Sequence, residues 1–207
     1  MAQLAPDACH GSVNRPRSLR TVMAPARIMF IRHAEKPVDG GDDGVTANGH
    51  ADPESLTPRG WQRAGALARF FQSPPPSGGD ALLTPAVVFA AGTGPGSKSK
   101  RPTQTVTPLV DLLTETRPTP FITKHLKGDH QQLIDDVMSR DGVVLVSWEH
   151  ELIPTLVGLI PKPPAVPQVW AGDRFDLVWM LDAVPAGWRF TQKPQLLLAG
   201  DRPDPIV

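Results

Sequence analysis

Three short, uninterrupted apolar runs constrain this chain more than any other feature. They are Ile28-Met29-Phe30-Ile31, Ala86-Val87-Val88-Phe89-Ala90 and Val143-Val144-Leu145-Val146. A strand that is apolar at every position has no face left for water. It must be covered on both sides, as the central strands of a parallel sheet are. Phe121-Ile122 reads as a short fourth strand. Helical spacings fall between the runs: Trp61, Ala64, Leu67, Ala68 and Phe71, then Val106, Leu109, Val110 and Leu113. Leu133, Ile134, Val137 and Met138 form a third stripe, and Leu152, Ile153, Leu156, Val157 and Ile160 a fourth. Thr57 is the expected N-cap of the first helix, with Pro58 at its first position and Pro74-Pro75-Pro76 as its stop. Pro108 falls early in the second helix or kinks it. Arg174 to Met180 and Gly187 to Thr191 flank a Pro185-Ala186 turn and predict a hairpin at the sheet edge. Strands alternating with helices predict an α/β fold, a three-layer α/β/α sandwich around a mostly parallel central sheet.

The 207 residues suit one domain over 26–207, preceded by a flexible arm over 1–25 that carries the basic stretch Asn14 to Arg20. Lys+Arg and Asp+Glu balance at 21 each, so no global field draws the chain to nucleic acid or to an anionic membrane. Any electropositive site must be local. Cys9 is the only cysteine, which excludes an intrachain disulfide and a cysteine-rich metal site. No apolar run approaches a membrane span, and Met1 to Ala26 has no signal-peptide core, so the expected location is the cytoplasm. Two loops stand out: 37–56, acidic and glycine-rich, and 73–80, rich in Pro, Gly and Ser. The first directly follows the best catalytic candidate and is expected to border the site.

In such folds ligands bind at the carboxyl ends of the strands. Arg32, His33, Ala34, Glu35 and Lys36 follow the first run. A glycine-rich turn and then Ser97-Lys98-Ser99-Lys100-Arg101 follow the second, and Trp148, Glu149, His150 and Glu151 follow the third. Two histidines and two arginines therefore converge on one edge. Guanidinium groups match the oxygens of a phosphate dianion. A neutral imidazole is a competent nucleophile near neutral pH, and a second imidazole can donate to the transferring group. Gly94-Pro95-Gly96-Ser97-Lys98 lacks the spacing of a phosphate-binding P-loop. Neither His33 nor His150 has a His or Cys partner at metal-ligand spacing, so no metal or other cofactor is expected.

Arg32-His33-Ala34-Glu35-Lys36 resembles the motif that opens the histidine phosphatase (phosphoglycerate mutase-like) superfamily, with Ala34 where glycine is commonest. Leu56 to Ala64 resembles the helix start that follows it. Ser97 with Arg101-Pro102-Thr103-Gln104-Thr105 resembles the segment of the second arginine, and Val143 to His150 the strand that ends in the second histidine. The four segments occur in family order. The resemblance implies a phosphoglycerate mutase-like fold and a metal-independent phosphomonoester hydrolase. His33 would be the phosphorylated nucleophile, Arg32 and Arg101 would clamp the phosphate, and His150 would stabilise the transferring group. The substrate would be a phosphorylated small molecule or a phosphoprotein.

The family's usual acid pattern is missing. Glu35 is the first candidate for the general acid, with Asp129, Glu149 and Glu151 behind it. Trp148 is expected to form a pocket wall, and Lys98 and Lys100 read as a solvated charge run. The competing functions are a non-catalytic phosphate-binding module on the same fold and a phosphomutase. The acidic loop 37–56, without Lys or Arg, argues against the mutase. Oligomeric state is not legible.

Overall fold

The computed structural model describes residues 24–72 and 84–207. Residues 1–23 of the expected arm and the expected loop 73–80 lie outside the described residues.

Among the described residues eleven elements follow one another. β1 (Pro25–Arg32), α1 (Pro58–Gln72), β2 (Val87–Ala90), α2 (Arg101–Thr114) and β3 (Phe121–Ile122) form the first part. Then come α3 (His130–Met138), β4 (Gly142–Trp148), a 3-10 turn (His150–Leu152), α4 (Ile153–Gly158), β5 (Leu177–Val184) and β6 (Gly187–Pro194). The sheet has six strands in the order β3-β2-β4-β1-β5-β6. β3, β2, β4 and β1 pair in parallel, while β5 runs antiparallel to β1 and β6 antiparallel to β5. The sheet is mixed, with its parallel part as one block and the expected hairpin completing the β6 edge.

Residue parity along the strands sorts the core into two layers. Ile28, Phe30, Phe89, Val144, Val146, Trp148, Leu177 and Trp179 pack with Leu133, Ile134 and Val137 of α3 and Ile153, Leu156 and Val157 of α4. Met29, Ile31, Val88, Ala90, Val143, Leu145, Val178 and Met180 pack with Leu67 and Phe71 of α1 and Val106, Leu109, Val110 and Leu113 of α2. Side chains alternate across a strand, so each continuous run supplies both faces. Handedness decides which helix covers which face. β1 to β2 and β2 to β3 step one way along the sheet, and β3 to β4 steps back. Right-handed crossovers then place α1 and α2 on one face and α3 on the other.

Thr57 caps α1 as expected, its hydroxyl accepting from Gly60 N–H at 3.1 Å. Gly60 has a second reason to be glycine. A Cβ there would stand 2.6 Å from the Glu35 carbonyl oxygen, so only glycine lets α1 start against the segment after β1. Pro108 lies inside α2 without ending it.

One buried arginine ties α1 to the rest. Arg63 is 2% exposed. Its Nε and Nη2 donate to Glu35 at 2.8 to 3.1 Å, and Nη2 also donates to Asp201 at 2.7 Å. Nη1 donates to Gln195 at 2.9 Å and to Asp201 at 3.0 Å. The segment after β1 is thereby fastened to the segment after β6. Burial works to raise the Asp201 carboxyl, but hydrogen bonds from Arg63 and from the Leu197 and Leu198 N–H groups hold it below the usual carboxylate range.

Removing Arg63 leaves the buried Asp201 carboxylate without its cation and Glu35 with Arg59 alone. Arg63→Ala is expected to lower the unfolding free energy by about 3–5 kcal/mol, read by urea denaturation at neutral pH. In the wild type the Asp201 contribution is present above the ordinary carboxylate range. It is lost as pH falls through the lowered value, so acid should narrow the gap between the two proteins.

Candidate active site

At the carboxyl ends of β1, β2 and β4 lies a cavity of about 490 Å³. His33, Lys36, Arg101 and His150 line it, together with Lys127 and the turn Gly96-Ser97-Lys98-Ser99. Three carboxylates, Glu54, Glu149 and Glu151, complete the wall.

Parallel pairing of β1 with β4 places Arg32 opposite Trp148, and His33 N–H donates to the Trp148 carbonyl at 3.0 Å. That register brings His33 and His150 to the same cavity. A third element of the site arrives through α2. Thr105, fully buried, accepts from Ala34 N–H at 2.8 Å and donates to the Arg101 carbonyl at 2.7 Å. Gln104 holds Leu56 N–H at 2.9 Å and the Ser55 hydroxyl at 2.8 Å. The Arg101–Thr105 segment therefore supplies a guanidinium and two polar side chains that set the segments around it.

His33 is 4% exposed, and its Nδ1 lies 2.7 Å from the Ala34 carbonyl oxygen. A carbonyl only accepts, so Nδ1 carries the proton and Nε2 keeps the lone pair. Burial pushes the imidazole down to about 3, against the bond to Ala34 and with Arg32, Arg101 and Lys36 adding to the fall. His150 is pushed down to about 4, by burial first and then by Arg32, with Glu151 opposing. Both rings are neutral at neutral pH.

Arg32 is 1% exposed and lies behind the residues that line the cavity rather than among them, and burial lowers it to about 10, which still leaves it charged. Its Nη1 donates to the Gly172 carbonyl at 2.6 Å and to the Arg174 carbonyl at 3.4 Å. Its guanidinium carbon stands 3.7 Å from the centroid of the Phe175 ring, a stacked cation–π contact. Nε and Nη2 have no partner among the described residues. A buried charge with two open donors is costly, and an anion would satisfy both. Arg101 is held from the side by loop 37–56. Its Nε donates to the Ser55 carbonyl at 3.3 Å and its Nη2 to the Pro53 carbonyl, while Glu54 stands 3.7 Å away.

Two expected roles fail on geometry. Glu35 does not line the cavity; its carboxylate is ion-paired with Arg63 at 2.8 Å and with Arg59 at 3.3 Å, and faces a separate cleft with Asp201. Its carboxylate is turned away from the cavity that holds His33, so Glu35 is removed as the general acid. Trp148 is fully buried in the core on the α3 and α4 side, sharing the parity of Val144 and Val146, and forms no pocket wall. Asp129 accepts from Leu126 N–H at 2.8 Å at the start of α3 and also lies off the cavity. Of the acid candidates read from sequence, Glu149 and Glu151 line the cavity. Glu149 is ion-paired with Lys127, while Glu151 has no ion-pair partner among the described residues.

Sequence reading missed Glu54, Phe175 and Lys127 as site residues. Loop 37–56 does border the cavity, through Glu54. Phe175 falls in the expected strand Arg174 to Met180 but lies just ahead of β5, and only the return of the chain after α4 sets it against Arg32. Among the described residues no three His, Cys, Asp or Glu side chains cluster as metal ligands. No helix of the described residues is long and apolar enough to cross a membrane.

No protein-family model matches the chain, and no curated protein matches it. Among solved structures it is similar to SixA of Agrobacterium tumefaciens, assigned as a phosphohistidine phosphatase. The identity is 15% over 81% of this chain and 95% of that chain, with a TM-score of 0.41. It is similar to an Escherichia coli protein assigned as an alpha-ribazole-5'-P phosphatase, at 15% identity over 80% and 94% of the two chains, TM-score 0.42. It is also similar to a phosphoserine phosphatase variant of Entamoeba histolytica in complex with phosphoserine, at 12% identity over 80% and 94%, TM-score 0.44.

The lowered histidines give a direct check. In proton NMR titrations assigned by His33→Ala and His150→Ala, neither ring should gain a proton between pH 8 and about pH 5, since an imidazole at its ordinary value near 6.5 titrates in that window. Protonation of either ring near pH 6.5 would mean that the site is not desolvated.

Proposed function

We propose that this chain is a member of the histidine phosphatase superfamily and a metal-independent phosphomonoester hydrolase. The observation that carries the reading is the neutral His33 Nε2, facing a cavity beside a buried arginine whose Nε and Nη2 are unsatisfied. In this reading a phosphate monoester binds with its oxygens on Arg32 and Arg101. His33 Nε2 attacks phosphorus in line, forming the N–P bond as the ester O–P bond breaks. The developing charge on the equatorial oxygens is met by the two guanidiniums and by His150, held nearby in the neutral form. The leaving oxygen takes its proton from Glu54 or Glu151, the lining carboxylates not bound to a lysine. Water then attacks the phosphohistidine, giving its proton to the carboxylate left by the first step; the N–P bond breaks, and inorganic phosphate leaves with His33 and the acid regenerated. The proton on Nδ1, held by the Ala34 carbonyl, stabilises the positively charged phosphoimidazole. The substrate is a phosphorylated small molecule or a phosphoprotein.

The purified chain should hydrolyse p-nitrophenyl phosphate in EDTA. His33→Ala should abolish turnover, and His150→Gln should lower kcat by about 10²–10³, the range for loss of one transition-state donor. Rapid acid-free quenching should trap a phosphohistidine by phosphorus NMR in the wild type and none in His33→Ala. Phosphate binding that survives His33→Ala without turnover in the wild type would favour a binding module instead.

The acid is separable by leaving group. Glu54→Gln or Glu151→Gln, whichever removes the donor, should slow an alkyl phosphate at least tenfold more than p-nitrophenyl phosphate, whose leaving group needs little protonation. Equal effects on both esters would show that neither carboxylate donates the proton.

A further inference from the structure

One short segment grips Arg32. Gly172 and Arg174 both present their carbonyls to Nη1, at 2.6 and 3.4 Å. The Phe175 ring lies against the same guanidinium, its centroid 3.7 Å from the central carbon. Two carbonyls on one nitrogen hold a point, and a ring stacked on the group sets a plane. Point and plane together fix the orientation. The nitrogens left without a partner among the described residues are Nε and Nη2. Their N–H bonds run parallel along one edge of the guanidinium, the edge that takes two oxygens of a single anion.

The grip is itself anchored. Arg174 N–H donates to the Ala171 carbonyl at 3.0 Å, and Trp170 Nε1 donates to the Arg174 carbonyl at 2.8 Å. The buried Arg174 side chain is ion-paired with Asp176 at 2.7 Å and donates to the Asp204 carbonyl at 2.7 Å. Phe175 sits between these two anchored residues. Its ring does not line the cavity that holds His33; it borders the smaller cleft with Glu35 and Asp201. Its centroid is 6.3 Å from that of the His33 imidazole, at a tilt of 55°. One side chain therefore stands beside both Arg32 and His33 without entering the cavity. The kind of side chain matters. A carboxylate here would also orient Arg32 but would neutralise it, as Glu35 and Asp201 do for Arg63. The negative face of a ring attracts the cation without accepting its N–H bonds, so the Nε–Nη2 edge stays charged and open for an anion.

We propose that Phe175 is a positioning residue for phosphate binding: its ring sets the plane of the Arg32 guanidinium, so that the Nε–Nη2 edge is aligned for the phosphoryl oxygens before they arrive. This rests on the phosphate seat proposed above. An arginine free to turn is aligned for only a fraction of the time, and the apparent affinity for phosphate falls by that fraction.

The test measures binding of inorganic phosphate to the full chain by titration calorimetry at neutral pH. Phe175→Leu keeps the apolar bulk and removes the ring, and should weaken phosphate about tenfold. Phe175→Tyr keeps the ring and should bind within about twofold of the wild type. A ring-trifluorinated phenylalanine at position 175 keeps the shape but drains the negative face, and should weaken phosphate in the same direction as leucine. A role in packing alone would leave that third protein at the wild-type affinity. Urea denaturation of each protein separates loss of binding from loss of folding, and the fluorinated ring decides the matter should the leucine variant not fold. Wild-type affinity in the fluorinated protein would overturn the proposal, and so would an equal loss in the leucine and tyrosine variants. If the wild type binds no phosphate, the seat itself fails and the positioning role with it. Binding in the expected order without hydrolysis of any ester would leave the role of Phe175 standing and sink the catalytic reading alone.

Discussion

The site depends on the parallel pairing of β1 with β4. These strands are far apart in sequence and adjacent in space, and their register ends with Arg32 opposite Trp148. The bond from His33 N–H to the Trp148 carbonyl extends that ladder one residue past the strand. From there each chain turns away from the sheet, and the two imidazoles arrive at one cavity. A shift of one residue in this register would send every side chain of β1 to the opposite face, so the buried core on both sides also holds the site in place.

Around that pairing the protein accepts an electrostatic cost. Arg32 is buried, stacked on Phe175 and held by two backbone carbonyls through Nη1 alone. Its field, after burial itself, helps to keep His33 and His150 unprotonated. The same arrangement that is unfavourable without an anion therefore keeps a neutral imidazole and open donors together. A second buried arginine, Arg63, has the opposite character. Its partners are all internal, and it fastens the segment after His33 to the segment that follows β6. One guanidinium is satisfied and structural, the other is unsatisfied and available.

Much of this was readable, and the failures have definite causes. The three apolar runs became β1, β2 and β4, and the four helical stripes became α1 to α4, because continuous apolar runs and helical spacing are local properties of the chain. Trp148 was misplaced although a signal existed. It shares the parity of Val144 and Val146, which points into the core rather than toward the strand-end cavity. Glu35 was misplaced because its partner Arg63 is on the next helix and nothing local marks that ion pair. Glu54 escaped because loop 37–56 has no period, and its course is set by Lys100, Arg101 and Gln104 reaching across from α2.

The sequence by itself determined the layered α/β architecture, the cap and start of α1, and the identity of His33, Arg32, Arg101 and His150 as the residues that end strands or open helices at one sheet edge. Strand and helix periodicity are written in neighbouring residues, and a strand-end position follows from them directly. Only the tertiary structure decided which carboxylates face the cavity and which arginine keeps open donors. Those properties depend on side chains brought together from distant segments, where the balance of burial, pairing and field is set by packing rather than by spacing along the chain.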